Sequence, residues 1–140
     1  MIQDQNNSKL SKDNFKVVTK KKPTQQQAED AIFAWKISKH LKNRSAVIAK
    51  DLGTKAIVQS QSSGIFCVEK AIDYACEMTK DAVLALDGVI ETKETVNSII
   101  QSRIGLVIES GQGDNTSDII QLANKYELAM ISTGLKNNKY

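Results

Sequence analysis

Three apolar runs recur at a near-constant spacing: AVLALD (82–87), IGLVIES (104–110) and LAMIST (128–133). Each is too short for a helix and rich in residues that pack on a pleated surface. Between them lie KETVNSIIQSR (93–103) and TSDIIQLANKY (116–126), whose apolar residues fall at helical spacing. Strand runs without polar alternation are buried on both faces, and strands joined through helices of about three turns imply βαβ crossovers. The pattern predicts an α/β chain with a mostly parallel sheet in its second half.

The first half adds a different element. SAVIAKD (45–51) and KAIVQSQ (55–61) both read as strands. Leu52-Gly53-Thr54 between them leaves room only for a hairpin-like turn, so this pair is expected to be antiparallel. Ahead of them, Phe33, Ala34, Ile37 and Leu41 form a helical stripe. Pro23 fixes the entry to that helix, and Thr24 with Gln27 has the spacing of a capping box. Phe15 to Val18 reads as a short strand. CVEKAIDYACEMTK (67–80) is expected as a helix with Val68, Ile72, Ala75 and Cys76 on one face. The fold class is therefore a three-layer α/β/α domain with a mixed, mostly parallel sheet, spanning residues 15–140 behind a disordered polar tail at 1–14.

Composition narrows the function classes. No stretch reaches the roughly 18 apolar residues of a membrane span, and the N-terminus has no apolar core of a signal peptide. A cytoplasmic location is expected. Cys67 and Cys76 fit neither a metal knuckle nor a disulfide framework and read as buried free thiols. Deaminase-type zinc chemistry needs a Pro-Cys-x-x-Cys segment, and the single proline is Pro23. No metal site is expected. The basic run Lys20-Lys21-Lys22 has no aromatic interleaved, so a solvated face is favoured over nucleic acid.

In sheets of this kind ligands bind where strands end and helices begin. The polar residues assigned to such ends are Asp51, Gln61, Asp87, Glu109 and Thr133. The ESGQGDNTSD loop (109–118) has a Gly-x-Gly, but Glu109 and Asp114 oppose an anion there. Helix capping by Asp114, Thr116 or Ser117 is the favoured reading over an anion cradle.

The segments VTKKKPTQQQAEDAIFAWKISKHLKNRSAVIAKD (18–51) and YELAMISTGLKNNKY (126–140) resemble the last part of AICAR transformylase, the formyltransferase half of the bifunctional purine biosynthesis proteins. The resemblance implies a cytidine-deaminase-like fold, which agrees with the sheet read from periodicity. It also implies a link to purine synthesis and marks Asp87, Gln61, Arg44, Lys50 and Gly111 as ligand-binding positions. The family's catalytic Lys-His pair lies ahead of the matched segment, so Lys39-His40 is not that pair, and His40 reads as a packing or surface residue. An Arg of the family's ligand loop falls at Gly64, and two of its aromatics fall at Val89 and Ile90. Losing a guanidinium removes bidentate anion recognition, and losing the aromatics removes a stacking surface.

No catalytic residue is assigned, and no cofactor is expected. The resulting expectation is a stand-alone relative that is non-catalytic by itself, a binding or assembly module working as a homodimer. The alternative is a subunit of a split formyltransferase using 10-formyltetrahydrofolate, with a partner chain supplying the catalytic half.

Overall fold

The structure is a computed structural model that describes residues 15–41, 44–60, 64–87, 90, 92–109 and 116–133. The tail expected at 1–14 lies outside them. The strands are β1 (Lys16–Val17), β2 (Arg44–Lys50), β3 (Gly53–Ser60), β4 (Val83–Leu86), β5 (Leu106–Glu109) and β6 (Ala129–Ser132). The helices are α1 (Gln25–His40), α2 (Gly64–Ala75), α3 (Lys93–Gln101) and α4 (Thr116–Lys125), with a 3₁₀ turn at Cys76–Thr79.

The strands form one sheet in the order β1-β6-β5-β4-β2-β3. The sheet is mixed, as expected, but the emphasis on parallel pairing needs correcting. Only β4/β5 and β5/β6 pair in parallel, while β1/β6, β2/β3 and β2/β4 are antiparallel. The reason is the hairpin. It pairs β2 with β3, and the connection through α2 passes over β2 and seats β4 beside it, which leaves β3 outermost. β3 and β4 then point the same way with the opposed β2 between them.

Period-two alternation divides the core. Ala46 and Ile48 of β2 belong to one cluster with Val68 and Ala71 of α2, Val96 and Ile99 of α3, and Ile119 and Ala123 of α4. Val47 and Ala49 face the other way, onto Ala31, Ala34 and Trp35 of α1. Three helices therefore cover one face, and the described residues place α1 over the other. α1 can lie close because its contact residues are small: Ala31 and Ala34 are fully buried, and Ser38 meets Ser45 hydroxyl to hydroxyl at 3.0 Å.

α1 starts at the expected capping box. Gln27 N donates to Thr24 Oγ1 at 3.0 Å, and Thr24 N donates to Gln27 Oε1 at 3.0 Å. Two first-turn donors are thus satisfied reciprocally.

The hairpin turn differs from the sequence expectation. Its central residues are Asp51 and Leu52, with φ of 54° and 60°, and Gly53 opens β3 instead. A two-residue turn with both φ positive matches the right-handed strand twist and usually carries Asn-Gly. Here the left-handed conformation costs roughly 1–2 kcal/mol per residue. A tertiary contact offsets it: Asp51 N donates to Asp30 Oδ2 at 3.0 Å, and Leu52 N to Asp30 Oδ1 at 2.8 Å. Gln26 Nε2 also donates to Asp30 Oδ1 at 3.1 Å. Asp30 is 1% exposed, so this carboxylate is shielded from competing water.

The short strand near the N-terminus is present, and β6 has its outer edge covered by it. Lys16 pairs with Ser132 and Val17 with Ile131. The ladder extends by Val18 N to Met130 O at 3.0 Å and by Met130 N to the Thr19 hydroxyl at 3.0 Å.

The expectation of two buried thiols holds for Cys67 and fails for Cys76. α2 ends at Ala75, and Cys76 turns out of the helix with φ of 53°. Its side chain leaves the buried face that Val68, Ala71 and Ala75 share.

Two stability outcomes follow. Trp35 is 3% exposed, so Trp35→Ala is expected to cost about 3–5 kcal/mol, while exposed His40→Ala costs far less. Asp30→Ala removes two charge-assisted acceptors, each worth about 1.5–3 kcal/mol, and should speed amide exchange at Asp51 and Leu52. Denaturant melts and hydrogen exchange check both, and a destabilisation by His40→Ala larger than by Trp35→Ala would contradict this packing.

Candidate functional site at the strand ends

The directions of the strands decide which polar residues can meet. β4, β5 and β6 all end at one rim of the sheet. β2 runs opposite to β4, so its first residues lie at that same rim, and β3 ends there too. Arg44 is in register with Ser60, and Ala46 with Leu86. Asp87 N donates to Ser45 O at 3.1 Å, which ties the end of β4 to the start of β2. Arg44, Ser60, Asp87, Glu109 and Thr133 therefore share one rim, and α3, capped by Thr92, begins there. Thr95 N donates to Thr92 Oγ1 at 3.3 Å.

Of the five ligand-binding positions that the resemblance marks, the structure brings Arg44 and Asp87 together. Gln61 follows Ser60 directly in the chain, but it lies outside the described residues, as does Gly111. Lys50 is elsewhere. It ends β2 at the opposite rim, opposite Gly53, and its Nζ donates to Lys80 O at 2.9 Å. Six residue steps of about 3.3 Å put its backbone about 20 Å from Arg44 along the strand. Asp51 sits beside Lys50 in the hairpin turn, so it too leaves the group of strand-end residues expected from sequence. Both displacements come from the antiparallel placement of β2.

Glu109 is a buried carboxyl group of the rim. It is 4% exposed. Its Oε1 accepts from Ile90 N at 3.2 Å, and its backbone oxygen accepts from Thr133 N at 2.9 Å. One residue thus joins the ends of β5 and β6 to the segment after β4. Thr133 is 3% exposed, and Asp87 is half-buried.

Ile90 occupies one of the positions where the family carries an aromatic. It is 3% exposed and packs into the core beneath α2, α3 and α4. This side chain faces inward, where it fills the core. Val89 and the Gly-x-Gly loop lie outside the described residues, whereas Gly64 is the first residue of α2. His40 is exposed at the end of α1, which fits the surface reading made from sequence. Among the described residues no group of His, Cys, Asp and Glu could hold a metal ion, and no helix is long and apolar enough to cross a membrane.

Sequence reasoning missed Asp30 as a structural residue. Its signal was an acidic residue next to Ala31 on the buried stripe of α1. Glu109 was placed correctly at a strand end, but its role in holding Ile90 depends on contact across 19 residues.

Glu109→Ala should leave the buried Ile90 N–H without this acceptor, at a cost of about 1–3 kcal/mol. Glu109→Gln keeps an oxygen in place and should cost much less. Amide exchange at Ile90, followed by NMR, separates the two, and equal exchange in both variants would remove Glu109 as the anchor of that segment.

Comparison with known proteins agrees with the motifs read from sequence. The profile of the family described as AICARFT/IMPCHase bienzyme matches residues 1–74. The bifunctional purine biosynthesis proteins PurH of Caldicellulosiruptor saccharolyticus and Acetivibrio thermocellus are each 36% identical over 140 residues, covering 100% of this chain and 27% of the relative. The PurH of Dictyostelium discoideum is 34% identical over 124 residues, covering 89% of this chain and 23% of that protein. Among solved structures, Acinetobacter baumannii RibD, form 2, superposes with a TM-score of 0.54 at 11% identity, covering 95% of this chain and 36% of the other. That likeness concerns the fold alone. The chain spans about a quarter of the length of the curated relatives it matches, and with the profile match over its first half and identity along its whole length it belongs to the AICARFT/IMPCHase bienzyme family.

Proposed function

We propose that this chain serves purine biosynthesis as a binding or assembly module that does not transfer formyl groups by itself. The observation that carries the reading is at the strand-end rim: Ile90, where the resemblance places an aromatic, is 3% exposed and packed into the core, and Gly64 stands where it places an Arg. Formyl transfer to AICAR needs a base for a weakly nucleophilic amine and a proton donor for the departing folate. It also needs both reactants held in near-attack geometry. The rim supplies Asp87 and Arg44 as contact positions, while in the chain Gln61 follows Ser60 and Gly111 comes two residues after Glu109. Gly64 cannot give the bidentate anion contact of the family's Arg, and Ile90 is committed to the core.

Under this reading the layout is cytidine-deaminase-like, with a hairpin at one edge of a mixed sheet and helices on both faces. The working form is a homodimer. The second reading is a subunit of a split phosphoribosylaminoimidazolecarboxamide formyltransferase using 10-formyltetrahydrofolate, and it draws on the 36% identity to PurH along these 140 residues.

Tetrahydrofolate release distinguishes these readings. The purified chain alone, checked for dimer formation by light scattering, is expected to show no turnover with AICAR and 10-formyltetrahydrofolate. Turnover that disappears in His40→Ala would overturn the proposal and make Ser38-Lys39-His40 an active-site segment. Turnover that appears only on mixing with a PurH lacking its matching segment would establish the split enzyme.

A further inference from the structure

The rim opposite the candidate site carries a basic corner that the fold assembles from two ends of the chain. Residues 15–28 contain Lys16, Lys20, Lys21 and Lys22 and no carboxylate. Residues 119–128 contain Lys125 and one carboxylate, Glu127. The two segments are fixed against each other. Lys20 N donates to the Asn124 side chain at 2.8 Å. Val18 N donates to Met130 O, and Met130 N to the Thr19 hydroxyl, both at 3.0 Å. The backbone of Lys20 is therefore tied to Asn124 in the last turn of α4, the residue before Lys125 and Tyr126. All five lysines are exposed; Lys16 lies opposite Ser132 at the strand-end rim, and the other four lie toward the end of α4.

Tyr126 supplies what the sequence lacked. It is 51% exposed, and Lys125 Nζ lies 5.6 Å from its ring centroid. This is cation–π distance, and about half of the tyrosine is exposed to solvent. A group of ammonium ions beside an exposed aromatic ring is the combination that binds single-stranded nucleic acid: the cations follow the phosphates and a base stacks on the ring. An acidic peptide would use the lysines but has no need of the ring.

We propose that this corner, Lys20, Lys21, Lys22 and Lys125 around Tyr126, is a binding surface for single-stranded nucleic acid without sequence preference. The surface is independent of the strand-end rim and of the role proposed for it.

Fluorescence anisotropy with a labelled 15-mer of oligouridine tests this on the full chain. With about four phosphate contacts the salt slope should be near −3, so affinity should fall about 50-fold between 50 and 200 mM salt. Lys21→Ala with Lys22→Ala should flatten the slope by about 1.4. Tyr126→Ala should weaken binding about fivefold or more, while Tyr126→Phe keeps it. These substitutions are at exposed positions, and an unchanged circular dichroism spectrum confirms that each variant folds. The proposal is overturned by absence of binding at 50 mM salt, by unchanged affinity in Tyr126→Ala, or by a polyglutamate 15-mer that competes as well as unlabelled oligouridine.

Discussion

A buried carboxylate on α1 governs the layout of this domain. Asp30 accepts the backbone N–H groups of both central residues of the β2–β3 turn. The turn demands two left-handed residues and has neither glycine nor asparagine to adopt them cheaply. The carboxylate supplies the missing stabilisation and pins α1 across the sheet in the same contact. Once the hairpin is closed, β3 is the outer strand and β2 lies between β3 and β4.

The consequence for function is geometric. An antiparallel β2 brings its first residue, Arg44, to the rim where β4 and β5 end, and sends its last, Lys50, to the far rim. Two residues of one strand that would both face a ligand in a linear reading are separated by the length of that strand. The rim that remains is polar but well satisfied. Glu109 holds Ile90 and Thr133, so part of its acceptor capacity is already used in shaping the rim.

The opposite rim has a different character. There the helix ends and the edge strand bring lysines from distant parts of the chain toward a half-exposed tyrosine. The two rims differ because helices and strands of an α/β domain point their ends in opposite senses: polar acceptors gather where the strands finish, and the cations collect where α4 finishes, at the negative end of its dipole.

Much of this was legible in the sequence because it is local. The Thr24–Gln27 capping box, the apolar runs of β4, β5 and β6, the stripe of α1 and the strand pair around residue 50 each depend on neighbours within a few positions. The resemblance to the formyltransferase family was legible for the same reason, since its motifs are short and contiguous. Tertiary structure alone decided the rest. Whether β4 pairs with β2 or β3 depends on which way a crossover passes, and no local periodicity encodes that. The turn at Asp51-Leu52 is stabilised by a residue 21 positions away, the inward orientation of Ile90 by a core drawn from three helices, and the exposure of Cys76 by a helix ending one residue earlier than its apolar spacing suggested. Each is settled by contacts between segments far apart in the chain, whose free energy is absent from any short window of sequence.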